Sequence, residues 1–455
     1  MPTAEQARGS APIAAAGAVY LLFIGYQSLA GAWPAACQLP LLQQGRHLSF
    51  SDGIANLIAY VPLGLLAAAW AGGRRGRARP STATLVAGFL AISAFSLAME
   101  TAQACLPGRV SSWYDWATNS SGAAVGLVLW ALGRRAVRAA ARQPVLAPAA
   151  RSPLLLPALL CLGAWLAVCT APWRFTLDVG SVRANLAFLR HLSGGVDLDA
   201  WRLARHFAAW LATGVALRAL WPARRTALLA LILLSGLTVL AQVLLVVPRL
   251  SVEKLAGMAG AALVMVLVGR GASGRGLARL LSWLALACVV AYQLAPQAGG
   301  RYASGFEWWP QLGRGGLLGA LELAMLYCWL AFALVLSLRW SAGLGMPLRR
   351  RPFLVPLAVA GALLLTEFAQ YRVPGRTPDT SAPLVTLLAF AVAWALTGHG
   401  AQRPSASHIA STRRRTRSSI AMGRPHSRDV SPGHLLVASR PSLDPRPDTG
   451  EAKSR

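Results

Sequence analysis

Three groups of polar residues, each at helical spacing, carry the side chains of this sequence that are best suited to chemistry. Asp52, Asn56 and Tyr60 recur at i, i+4 and i+8, so on a helix they share one face. Ser96, Glu100 and Gln103 do the same on a second segment, and Asp115, Asn119, Gly122 and Gly126 on a third. Arg109 stands in the Pro107-Gly108-Arg109 turn between the last two groups. Three carboxylates can supply a general acid, a general base or oxygen ligands for Mg2+, and the asparagines with Arg109 can donate hydrogen bonds to an anion. The structural alternative is that Arg109 pairs with Asp115 or Glu100 to pin the turn, while Asp52 and Asp115 cap the helices they begin. Glu100 precedes the turn by several residues and cannot be an N-cap.

The elements that must position these residues are membrane helices. The chain has 455 residues, of which 55% are hydrophobic and 13% charged, with a mean hydropathy of +0.49. A soluble domain has about a quarter of its residues charged, so a water-soluble fold is excluded. The 44 Lys and Arg against 16 Asp and Glu give a net charge of +28. The basic residues fall in short clusters between apolar runs, which points to a membrane rather than to nucleic acid. A bilayer core needs about 20 apolar residues per helix, and runs of that kind predict about twelve helices. They start near Ala11, Gly53, Ser81, Asp115, Pro153, Trp201, Thr226, Glu253, Leu277, Gly316, Pro352 and Pro383. The first run follows a weakly basic start and is read as a mature helix rather than a signal peptide. From 399 to 455 the composition is Ser-, Arg- and Pro-rich, and disorder is expected, with Arg413, Arg414, Arg415 and Arg417 suited to anionic headgroups.

Arginine clusters follow every even-numbered helix: Arg74, Arg75, Arg77 and Arg79; Arg134, Arg135, Arg138 and Arg142; Arg224 and Arg225; Arg270, Arg275 and Arg279; Arg349, Arg350 and Arg351. By the positive-inside rule both termini face the cytoplasm, and the protein belongs in a bacterial inner membrane. Long and short outer connections alternate, so the sequence predicts an all-α, polytopic protein of three four-helix units, 11–135, 153–270 and 277–398, after a cytoplasmic segment 1–10. Glu100-x-x-Gln103 with Pro107 and Arg109 recurs as Glu367-x-x-Gln370 with Pro374 and Arg376; the middle unit keeps Gln242 but has Val239 in place of the glutamate. Of the six cysteines, Cys37 and Cys105 lie near ends of apolar runs, so a disulfide between them is one open reading.

The spacing Asp52-x3-Asn56-x3-Tyr60-x-Pro62-x-Gly64, then Ser96-x3-Glu100-x2-Gln103, Arg109 and Asp115-x3-Asn119-x2-Gly122-x3-Gly126 resembles the VanZ-like family of bacterial integral membrane proteins, over roughly residues 15–135. The resemblance implies a link to low-level resistance to the glycopeptide teicoplanin and no particular reaction. It singles out Asp52, Asn56, Glu100, Gln103, Arg109, Asp115 and Asn119, without assigning roles.

The leading expectation is an outward-facing polar pocket that binds or processes an anionic envelope lipid or a lipid-linked saccharide, with membrane lipids as surroundings and no nucleic acid, cofactor or resident metal. Glu367, Gln370, Arg376 and Glu322 are secondary candidates. Glu322, within the tenth predicted helix, is the residue that favours a secondary transporter, because a carboxylate at membrane depth costs roughly 2.5–3.5 kcal/mol and is seldom kept without a role. A third reading is a structural membrane partner that binds no ligand. No Walker loop, G-x-S-x-G or H-E-x-x-H motif is present.

Overall fold

The computed structural model describes residues 4–29, 50–73, 80–106, 111–171, 173, 175–191, 198–246, 250–268, 273–296, 300, 302–303, 305–308, 310, 316–344 and 353–397. The C-terminal stretch for which disorder is expected lies outside the described residues, as do the Arg74–Arg79 and Arg349–Arg351 clusters.

The fold is all-α. In chain order the helices are α1 (Ala4–Leu29), α2 (Phe50–Gly73), α3 (Thr82–Gln103), α4 (Trp113–Ala140), α5 (Ala147–Ala150), α6 (Leu155–Thr170), α7 (Val179–Leu186), α8 (Ala200–Leu220), α9 (Arg224–Val243), α10 (Val252–Val268), α11 (Gly274–Leu294), α12 (Gly316–Gly343), α13 (Leu354–Ala369) and α14 (Ser381–Thr397). All but the short α5 and α7 coincide with apolar runs read from the sequence. Seven of them (α1, α2, α3, α9, α11, α12 and α13) are long and apolar enough to cross a membrane by length and composition. Leucines such as Leu22 (75% exposed), Leu233 (68%) and Leu365 (71%) face outward, largely uncovered by the described residues. For a chain with this hydropathy, those faces belong against lipid.

Local signals set several helix starts. Ser81 caps α3 by accepting from the Thr84 amide, and Ser112 caps α4 by accepting from Tyr114 at 3.2 Å. Asp199 caps α8 through the amides of Trp201 and Arg202, at 2.9 and 3.0 Å. At other ends arginines take up helix-terminal carbonyls, where the negative end of the macrodipole favours a cation. Arg339 donates to Trp394 O at 2.7 Å and lies over the Trp394 ring, near the end of α14. Arg224 donates to Val266 O near the end of α10.

The helices pack around two hydrophobic cores. The smaller gathers Ile24, Tyr60, Leu63, Ile92 and Ala123 from α1 to α4. The larger runs through α6 to α14, with α12 at its centre, where Leu330, Ala331, Leu334, Val335 and Leu336 are fully buried. A helix enclosed on all sides needs an apolar circumference, and α12 has one. Within the first unit α2 and α4 approach backbone to backbone. A Cβ on Gly122 would lie 2.1 Å from Leu57 O, one on Gly64 2.1 Å from Ala123 O, and one on Gly126 2.2 Å from Val61 O. Small residues at these three sites are what allow the contact.

The stretch between α6 and α8, one of the long outer connections of the sequence reading, contains α7 and a following 3-10 turn. Its helix is eight residues long, too short to register as a span, and is fixed by its cap: Asp178 Oδ2 accepts from the Ser181 amide at 2.7 Å. That hydrogen bond holds the exposed Asp178 carboxyl below the usual carboxylate range. Asn185 then ties the segment to the end of α9, donating to Val243 O at 3.1 Å and Leu245 O at 2.7 Å.

Candidate functional site

Helices α2, α3 and α4 bring most of the predicted polar residues of the first unit together. Asn56 Nδ2 donates to Asp115 Oδ1 at 2.8 Å and so links α2 to α4. Asn119, one turn further along α4, donates from Nδ2 to Ser96 Oγ at 3.0 Å and links α4 to α3. Ser93 and Ser120 share a hydrogen bond at 2.9 Å between the same two helices, and Trp116 Nε1 donates to Ser93 O at 3.1 Å. Tyr60 is buried with Ser96 and Glu100 as neighbours. Gly53 leaves room for Tyr114, whose hydroxyl would meet a Cβ there at 2.6 Å.

Glu100 is 3% exposed, and its Oε2 accepts from the Ser112 amide at 3.0 Å. Ser112 is the N-cap of α4, so the carboxylate of α3 fixes the start of the next helix. This role was missed from sequence, where Glu100 stood out because it could not cap its own helix. Gln103 turns the other way and donates to Ser28 O of α1 at 3.2 Å. Asp52 belongs to α2, but its side chain lies outside the described residues, and so does all of Arg109.

One atom of the cluster is unmatched. Asn119 is 5% exposed, and its Oδ1 has no hydrogen-bond partner. Buried polar atoms are normally satisfied by protein, water or ligand, so this carbonyl oxygen calls for a donor. Among the described residues no group of three or more His, Cys, Asp and Glu side chains is placed to hold a metal ion.

The secondary candidates occupy a related arrangement. Glu367 Oε2 accepts from the Asp379 amide at 3.2 Å, and Asp379 in turn accepts from the Ser381 amide at 2.7 Å, at the start of α14. Glu100 and Ser112 are separated by the same twelve residues as Glu367 and Asp379. Glu367 Oε1 also accepts from Gln293 Nε2 of α11 at 2.6 Å. Arg376 donates to Ala295 O at 3.1 Å and to Tyr292 O, with its guanidinium over the Tyr292 ring. Gln370 is buried in the 3-10 turn that follows α13. Glu322 lies in the second turn of α12, half-buried.

Residues 15–134 match the model of the VanZ/LLP1 family. This segment is VanZ-like. It contains every helix that builds the first cluster, and with the apolar helices beyond it the chain is a membrane protein carrying a VanZ-like unit. No curated protein and no solved structure matches the chain.

Cys105, at the end of α3 beside this cluster, is disulfide-bonded, whereas Cys161, Cys169, Cys288 and Cys328 are free. Cys37, which the sequence offers as its partner, lies outside the described residues. In non-reducing thiol labelling of the denatured protein, the four free cysteines are expected to react at once and Cys105 only after reduction. Labelling of Cys105 without reductant would count against the bond.

Proposed function

We propose that the VanZ-like unit binds an anionic or lipid-linked component of the cell envelope at the end of the bundle formed by the finish of α3 and the start of α4. The observation that carries this reading is the Asn119 carbonyl oxygen, buried and unmatched one turn from the Asn56–Asp115 pair. A sugar or glycerol hydroxyl is the donor such an oxygen accepts, and Arg109, which the sequence places between α3 and α4, has a guanidinium suited to the accompanying phosphate. An outward orientation is supported by the arginine clusters after the even-numbered spans, and by a disulfide at Cys105, since such bonds persist in oxidising compartments. Both termini are then cytoplasmic and the membrane is the inner one, with twelve spans in three units.

The test is a comparison of Asn119→Ala, Asn56→Ala and Glu100→Gln in cells at matched protein levels. The expected result is altered envelope-lipid or lipid-linked saccharide content, or altered glycopeptide tolerance, in the asparagine variants. Wild-type envelopes in all three would sink the reading.

A second reading, a packing role with no ligand, is favoured by the Glu100–Ser112 hydrogen bond, which joins two helices by itself. Glu100→Gln separates the two. It keeps an oxygen for the Ser112 amide, so stability is expected to stay within about 1 kcal/mol of wild type, whereas Glu100→Ala leaves a buried donor unpaired and costs about 1–3 kcal/mol. A functional defect in Glu100→Gln with unchanged thermal unfolding would exclude a purely structural role.

A further inference from the structure

The connection between α6 and α8 is too short in helix to span a membrane, yet it carries apolar side chains on its surface. Leu177, at 84%, is the most exposed large apolar side chain among the described residues, and Val179 (72%) and Phe175 (56%) flank it. Leu186 and Leu189 are exposed further along. Such a run is unfavourable in water and becomes favourable where its surroundings are themselves apolar. The segment is held in place rather than free to bury these residues elsewhere. Trp173 has a left-handed backbone, φ 58°, which L residues seldom adopt, and its indole donates to Ala167 O at 3.0 Å. From that bend the chain runs to the end of α9, where the Thr176 amide donates to Leu244 O at 2.7 Å. Asn185, fully buried, fixes α7 to the Val243 and Leu245 carbonyls there.

The level at which the segment is held identifies those surroundings. With 20 residues α9 is about 30 Å long, the thickness of the hydrocarbon core of a bilayer. It begins with Arg224 and Arg225, which mark one membrane boundary, so Val243 and the α7 segment bound to it stand at the other. Along α9, Leu229, Leu233, Leu237 and Leu240 form an exposed stripe that ends one turn short of Val243, and Val246 beyond it is exposed as well. The apolar surface of a spanning helix is thus taken up at its end by the surface of α7. This short helix has distinct sides. Val179, Val182 and Leu186 recur at i, i+3 and i+7 on one side, and the exposed Ala184 lies about 140° around the helix from Val179. Asn185, on the third side, is the residue buried against α9. Arg183 is exposed next to the apolar side, where its stem suits acyl chains and its guanidinium the phosphates above them.

We propose that residues 175–189 form an interfacial anchor: α7 lies along the membrane boundary opposite the Arg224–Arg225 cluster, with Phe175, Leu177, Val179 and Leu186 among the acyl chains of that leaflet and Ala184 toward water. The occupant of the apolar face is lipid, and the anchor sets the depth of the end of α9 to which it is bound. It shares no residue with the Asn56–Asp115–Asn119 cluster and stands or falls separately from the reading of that cluster.

The test uses the full chain in phosphatidylcholine nanodiscs, with Leu177→Cys, Val179→Cys and Ala184→Cys each labelled with a nitroxide without prior reduction. All three positions are exposed, so the substitutions leave the packing untouched. Power saturation in electron paramagnetic resonance reads contact with oxygen, which concentrates in lipid, and with a water-soluble nickel chelate. Leu233→Cys, midway along α9, is the lipid reference, and Gln143→Cys, exposed in the turn after α4, is the aqueous one. Unsubstituted protein gives the background from the native cysteines. The oxygen-to-nickel ratio at Leu177→Cys and Val179→Cys is expected to match Leu233→Cys and to exceed Gln143→Cys severalfold, with Ala184→Cys close to Gln143→Cys. Ratios at Leu177→Cys and Val179→Cys that match Gln143→Cys overturn the proposal, because the face would then lie in water. Labels shielded from both reagents overturn it too, since a protein surface, from a second copy or another segment, would cover the face. Ala184→Cys as lipid-like as Val179→Cys overturns the boundary placement, because α7 would then be immersed on all sides.

Discussion

Gly122→Ala is expected to disrupt the VanZ-like unit, although the change adds one methyl group. The new Cβ would lie 2.1 Å from Leu57 O and 2.9 Å from Leu57 C, both backbone atoms of α2 that no rotamer change can move. Overpacking a core commonly costs 1–3 kcal/mol, and a clash that only separation of two helices relieves should reach about 3 kcal/mol or more. Separation would also break the Asn56–Asp115 hydrogen bond, which spans the same interface. Gly133→Ala on the same helix is the control: nothing lies within 4 Å of its Cβ, so helix propensity alone should make it neutral or about 1 kcal/mol more stable. Thermal unfolding in detergent compares the two. Equal stability of Gly122→Ala and Gly133→Ala would show that α2 and α4 are not in backbone contact.

This contact also marks how far the sequence could be read. Gly122 and Gly126, one turn apart, are the sequence sign of a close approach, because a helix face of small residues has few other uses in a membrane, whereas the part played by Gly64 on the facing helix shows only in the structure. The apolar runs located twelve helices, seven of which are long and apolar enough to span a bilayer, because a bilayer-length segment is a strong one-dimensional signal. Periodicity placed Asn56, Asn119 and Glu100 on faces that meet. It could not show which atoms pair, since that depends on side-chain direction across helices distant in sequence. So the Glu100–Ser112 bond went unseen, although a glutamate recurs twelve residues before the residue whose amide it accepts, at Ser112 and again at Asp379 just ahead of α14.

The same glutamate device allows a sharper test in the last four helices, where Glu367 is enclosed at 3% exposure. Both of its oxygens are used, Oε1 by Gln293 Nε2 and Oε2 by the Asp379 amide. Glu367→Ala leaves two buried donors unmatched and is expected to cost about 3 kcal/mol, with loss of order at the start of α14, where Asp379 accepts from Ser381. Glu367→Gln would at first place an NH2 group against the Gln293 donor. A flip of the Gln293 amide removes the conflict, for Gln293 would then accept from Gln at 367 and donate to Thr366 Oγ1. Thr366 already has a second acceptor in Leu363 O at 2.7 Å, so its hydroxyl proton is not stranded. Glu367→Gln should therefore unfold within about 1 kcal/mol of wild type. Combining it with Gln293→Leu, which removes the group that flips, should restore most of the loss seen in Glu367→Ala. If Glu367→Gln alone were as unstable as Glu367→Ala, the negative charge itself would be what the site requires, and Arg376, close enough to act on the carboxyl electrostatically, would be its counterpart.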